Sequence, residues 1–118
     1  MNKTTLYKGA SFHIYALDNP NDSLKDFLES LKESDLSSLL ALIKRAGDVG
    51  PPKNIQKFRL LRNGIYELKS KQVRIPCFYD KGSIILCTHG FIKKGNKTPK
   101  REIDKAEKLM KEYMEGKK

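Results

Sequence analysis

The chain has 118 residues, 38% of them hydrophobic, with no tryptophan. That is the size of one domain, large enough to bury roughly two-thirds of its unfolded surface and too small for two catalytic domains. No stretch approaches the ~18 consecutive apolar residues of a membrane-crossing helix, and the opening Met1 to Thr5 leads into a mixed segment, not an apolar signal core, so one cytoplasmic domain over 1–118 is expected.

The formal net charge of +10 is unevenly spread. Residues 1–56 hold 7 Lys+Arg and 7 Asp+Glu, whereas residues 57–118 hold 17 and 7. A field concentrated in one half favours a polyanionic partner, nucleic acid being the commonest. Cys77 and Cys87 form no CxxC pair and have no histidine at zinc-ligand spacing, so a reduced, partly buried pair and no metal or cofactor are expected.

In chain order, Thr5 to Leu17 alternates loosely around Gly9 and ends in the turn cluster Asp18-Asn19-Pro20-Asn21-Asp22, which predicts one strand or two short ones. Leu24, Phe27, Leu28 and Leu31 then follow helical spacing, with Asp22 or Ser23 placed to cap. Leu36, Leu39, Leu40 and Ile43 repeat the pattern, capped by Ser34 and closed by Gly47, and the two segments are expected to pair as an antiparallel helical hairpin. Gly50-Pro51-Pro52 ends helical structure.

Four strands are predicted over residues 57–89 as an antiparallel meander. Asn63-Gly64 supplies a tight turn, and Asp80-Lys81-Gly82 a second one between Val73–Tyr79 and Ile84–His89. Pro76 lacks the donor a ladder needs and predicts a local irregularity. Thr98-Pro99 reads as a cap followed by a first-turn proline. The terminal helix that follows buries Ile103, Ala106, Leu109, Met110 and Tyr113 and turns Lys100, Arg101, Lys105 and Lys108 outward.

Arg74 lies on a strand that is otherwise core-forming, a setting that points a charge into a cleft or pairs it with an acid such as Glu67. With a two-residue turn Arg74 stands opposite His89; with a three-residue loop the pairing shifts by one and the two part. Both registers are compatible with the sequence. In the first, Glu67, Lys69 and Tyr66 adjoin a cation and an imidazole, a set suited to phosphodiester cleavage through an RNA 2′-hydroxyl, which needs a base, an acid and fixed cations but no metal. Lys93 and Lys94 stand at the rim of the same sheet, and the outward basic face with Lys100 and Arg101 suits phosphate or an acidic partner.

The order of these motifs resembles the HigB-like branch of the RelE/ParE toxin superfamily. The resemblance is carried by Phe58-Arg59-Leu60-Leu61, Gly64-Ile65-Tyr66-Glu67-Leu68-Lys69, Arg74 with Phe78-Tyr79, and Ile84-Ile85-Leu86 with His89-Gly90-Phe91-Ile92-Lys93-Lys94. It extends through Lys97-Thr98-Pro99 and Glu102-Ile103-Ala106, and so covers roughly residues 50–113. It implies an α+β, RelE-like fold: a twisted antiparallel sheet with an N-terminal helical hairpin and a C-terminal helix. It also implies a type II toxin acting as a ribosome-dependent, metal-independent mRNA endonuclease, neutralised by a HigA-like helix-turn-helix antitoxin.

Arg59, Lys69, Arg74, Lys93 and Lys94 occupy the family's basic positions, with Arg74 tied to phosphate stabilisation. The expected site is thus Arg74, Lys69, Lys93, Lys94, His89 and Glu67 for chemistry, with Arg59, Tyr66, Lys97, Lys100 and Arg101 holding RNA. Lys69 stands where arginine is usual, which exchanges a bidentate fork for a point charge. The toxin alone is expected as a monomer and the complex as a heterotetramer. Two other functions fit the same sequence: a ParE-like inhibitor of DNA gyrase, and a non-catalytic basic module that binds nucleic acid or a partner.

Overall fold

In a computed structural model the chain is described over residues 1–117. It runs β1 (Lys3–Lys8), β2 (His13–Leu17), α1 (Leu24–Glu29), α2 (Glu33–Val49), β3 (Phe58–Arg62), β4 (Ile65–Ser70), β5 (Val73–Asp80), β6 (Ile84–Cys87), β7 (Phe91–Ile92) and α3 (Lys100–Gly116). The strands form one sheet in the order β1-β2-β6-β5-β4-β3, with β7 pairing β5. This is an α+β arrangement, and the meander from β3 to β6 is antiparallel as expected.

The sheet as a whole is mixed. β2 and β6 pair parallel, His13 opposite Ile84 and Ala16 opposite Cys87, which corrects the all-antiparallel expectation. After β2 the chain crosses by way of α1 and α2 to the far edge and returns strand by strand. The fourth strand of that return, β6, then arrives beside β2 running in the same direction.

The expected N-terminal helical hairpin is not seen either. The N-terminus is strand, and the two helices pack on the sheet, α1 against β2 and α2 against β1, β2 and β4. α1 is only six residues long, so it has too little surface to partner α2. Ser23 caps α1 by accepting from the Asp26 amide. α2 begins at Glu33 without a side-chain cap and runs past Gly47 to Val49, where Gly50 takes a φ of 95°.

Gly47 is inside α2 for a packing reason. The β1–β2 turn lies directly on it, the Ser11 and Phe12 amides both donating to its carbonyl, and a Cβ on Gly9 would land on the Gly47 backbone. Gly9→Ala is expected to lower the melting temperature by more than about 10 °C, since backbone cannot yield as a side chain can. A thermal scan by circular dichroism checks it, and an unchanged midpoint would refute the contact.

Period-2 alternation divides the core. Ile14, Leu68, Ile75, Cys77 and Ile85 face α2 with Leu39 and Ile43. On the other side Ile65, Phe78 and Leu86 lie under Ala106, Leu109 and Tyr113 of α3. Polar clamps hold α3 in place. Tyr113 Oη donates to buried Asp80 at 2.9 Å and Lys117 Nζ at 2.7 Å, while Arg62 reaches both Asp104 and Glu107. Burial pushes the Asp80 carboxyl up, but the Lys117 ammonium and Tyr113 hydroxyl outweigh it and hold it below the usual value. Cys77 and Cys87 face each other as free, buried thiols, and burial pushes Cys87 up to about 12.

Candidate functional site

The face of the sheet under α3 carries the charge. Asn63 and Gly64, with φ of 50° and 84°, make the tight β3–β4 turn that pairs Arg62 with Ile65, and a shift in register between Leu60 and Arg62 then sets Arg59 opposite Glu67. The β4–β5 turn sets Lys69 opposite Arg74. Residues 59, 67, 69 and 74 therefore share one face, as the pleat requires of such pairs.

Glu67 is wholly buried at the centre of this group. Thr98 Oγ1 donates to its Oε1 at 2.6 Å, and Arg59 Nη2 lies 3.4 Å from its Oε2. Arg74 is 6% exposed. Its Nη1 donates to the carbonyls of Lys71 and Val73 at 2.6 and 3.0 Å. Lys71, at φ 55°, makes the turn that presents the first of these carbonyls. The Nε–H groups of Arg59 and Arg74 are both buried without a protein acceptor. Such unpaired buried donors are costly.

Lys69 is half-buried and reaches the Ile55 carbonyl at 3.4 Å. Burial holds its ammonium below the usual lysine range, and the charges of Arg59, Arg74 and Lys93 add to the effect against the opposing pull of Glu67. Burial likewise lowers Arg74, with Glu67 opposing and Arg59 adding. The cluster thus joins Arg59, Glu67, Lys69, Arg74 and Lys93 in one electrostatic unit.

Other expected residues lie elsewhere. Asp80 pairs with Ile84, so the β5–β6 loop has three residues and the second of the two registers holds. The irregularity at Pro76 follows from its chemistry. Its carbonyl accepts from the Thr88 amide at 2.9 Å, so its missing N–H faces the same neighbour. β6 therefore ends at Cys87, and pairing resumes one residue out of register with Arg74 opposite Phe91.

His89 is displaced into a separate buried network. Its ring nitrogens lie 2.9 Å from Thr88 Oγ1 and 3.1 Å from Glu102 Oε1. Burial and then Lys105 lower its pKa, with Glu102 and Asp22 opposing. Tyr66 points to the α2 face, where it stacks on Phe58 with centroids 4.9 Å apart. Lys94, Lys97, Lys100 and Arg101 are exposed around the start of α3, Lys100 paired with Asp104 at 2.9 Å.

Thr98 was legible only as a helix cap. α3 has no side-chain cap, and the hydroxyl serves Glu67 instead. Two cavities lie away from this cluster. One of about 580 Å³ is bounded by β1, β2 and α1, and one of about 410 Å³ by α2 and the connection to β3; none of the five cluster residues lines either. Among the described residues no three His, Cys, Asp or Glu side chains gather to hold a metal ion, and no helix is long and apolar enough to cross a membrane. A family model described as phage derived protein Gp49-like (DUF891) matches residues 26–111. No curated protein matches the chain.

Proposed function

We propose, from the premise that the chain belongs to the phage-derived Gp49-like family, a family related to RelE- and HigB-type toxins, that it is a ribosome-dependent mRNA endonuclease of a type II toxin–antitoxin pair. The observation that carries this reading is the convergence of Arg59, Lys69 and Arg74 on one sheet face, with Lys93, just past β7, near enough for its charge to act on Lys69. One of these is a lysine whose ammonium is destabilised, by burial first and by the neighbouring cations after it.

The chemistry is transfer of the phosphodiester to its own 2′-oxygen. A base takes the 2′-hydroxyl proton, the oxygen attacks phosphorus to form a cyclic phosphate, and the P–O bond to the 5′-oxygen breaks as that oxygen takes a proton from solvent water. Lys69 in its neutral form is the base, because a lysine with a depressed pKa is deprotonated closer to neutral pH. Arg59 and Lys93 hold the phosphate oxygens, on which charge builds in the transition state. Arg74, fixed by two carbonyls, adds its charge to the burial and the Arg59 charge that favour the neutral form of Lys69. Lys94, Lys97, Lys100 and Arg101 at the rim attract RNA backbone, a role that suits a nuclease whose sequence choice is left to the ribosome. A HigA-like helix-turn-helix antitoxin, forming a heterotetramer, is the matching partner.

Induced expression without antitoxin is the test. Growth and amino-acid incorporation should stop, with cuts in translated mRNA mapped by primer extension, and Arg59→Ala/Lys93→Ala should relieve the arrest. DNA-damage signalling with intact mRNA would replace this reading by gyrase inhibition. One observation favours a non-catalytic basic module: Arg74 is almost wholly buried, so it has little surface to offer a substrate. RNA binding with no cleavage on translating ribosomes would establish that reading.

A further inference from the structure

We propose that the concavity beside α2 is a second phosphate subsite, which holds a nucleotide flanking the scissile bond of the same single-stranded RNA. The inference rests on the nuclease reading and extends its substrate path.

The concavity, about 410 Å³, lies between α2, which contributes Ser38 and Arg45, and the connection to β3, which contributes Pro52, Asn54 and Lys57. Its only titratable lining residues are Arg45 and Lys57, both exposed cations, and no carboxylate lines it. The acids of α2 that could neutralise them are engaged elsewhere. Asp48 is held by Lys44 at 2.9 Å and by Tyr7 Oη at 2.8 Å, and Asp35 faces Lys71 at 3.5 Å. Two uncompensated cations over a concave wall focus a positive potential.

Asn54 is prepared as a donor. Its Oδ1 accepts from the Gln56 amide at 2.9 Å and its carbonyl from the Lys57 and Phe58 amides, which leaves the Nδ2 hydrogens for a ligand. The same turn ties this pocket to the cluster around Glu67. Ile55 accepts from Lys69 Nζ, and the Lys57 carbonyl accepts from the Lys69 amide at 2.8 Å. A strand of RNA leaving Lys69 therefore has one short turn to cross to reach Lys57 and Arg45.

The test uses the whole protein with fluorescent single-stranded RNAs of about twelve and about three nucleotides, 2′-O-methylated so that they cannot be cut. Arg45→Ala/Lys57→Ala should weaken the longer RNA roughly fivefold or more. It should also flatten the dependence of log affinity on log salt by about 1.4, two contacts at ~0.7 each. The three-nucleotide RNA should bind the variant like the unmodified protein, and Lys111→Ala should leave both RNAs unaffected. Loss no greater than that of Lys111→Ala, while Arg59→Ala/Lys93→Ala weakens both RNAs, would overturn the subsite and leave the nuclease reading standing. If Arg59→Ala/Lys93→Ala weakens neither RNA, the nuclease reading fails and the subsite with it.

Discussion

Lys69→Ala is expected to abolish cleavage of mRNA on translating ribosomes, with a fall of about 10²–10⁴ in the single-turnover rate, the usual contribution of a positioned base. Lys69→Arg, which installs the residue usual at this position in the resembled family, should be equally inactive if Lys69 is the base and should keep its activity if only its charge is used. It keeps the charge, but a guanidinium does not lose its proton in the working range, so a charge-only role and a base role separate at this one position.

The sign of the pH dependence follows from the site. Burial first, then Arg59, Arg74 and Lys93, make the Lys69 ammonium easier to deprotonate. The rate should therefore rise with pH and level off below the ordinary lysine value of 10.5. Arg59→Ala removes one of the repelling charges and should move the rising limb towards alkaline pH, even as it weakens phosphate binding. A pH–rate profile that is flat for the unmodified protein, or an Arg59→Ala profile that moves the other way, would remove Lys69 from the role.

Arg59 faces Glu67 only through the register shift between Leu60 and Arg62, which Asn63-Gly64 does not announce, but that Glu67 and Lys69 share a face could be read directly from a strand period of two. The place of His89 could not. Two loop lengths were compatible with Asp80-Lys81-Gly82, and the choice was made by long-range pairing. Pro76 announced an irregularity but not its consequence, because the neighbour that loses a donor depends on which strand its carbonyl faces. Tyr66 sat next to Glu67 in sequence and so was grouped with it, although adjacent strand residues point to opposite faces. The parallel pairing of β2 with β6 joins residues about seventy apart and leaves no local trace. Gly47 looked like a helix stop, but its purpose is contact with Gly9, far away in the chain.

Glu67 is where fold and site meet, and its replacement should have the largest effect on stability. The carboxylate is wholly buried, and it is the anion that opposes the lowering of both Arg74 and Lys69. Removing one partner of a buried charge set costs about 3–5 kcal/mol, because the remaining cation is left without its counter-charge. The Arg59 contact adds little, its side chain being 39% exposed and 3.4 Å away. The loss therefore falls on buried Arg74 and on the Thr98 hydroxyl.

Glu67→Ala should destabilise the protein by about 3–5 kcal/mol in urea. Glu67→Gln, which still accepts from Thr98, should lose less. Thr98→Val alone should cost about 1–3 kcal/mol, the penalty of leaving a buried acceptor short of a partner. Arg74→Met combined with Glu67→Leu should recover most of the stability, as hydrophobic replacements of buried ion sets often do, yet it should be inactive on ribosomes. A Glu67→Ala protein as stable as the parent would mean that Arg74 is compensated by something other than this carboxylate, and the electrostatic unit described above would not exist.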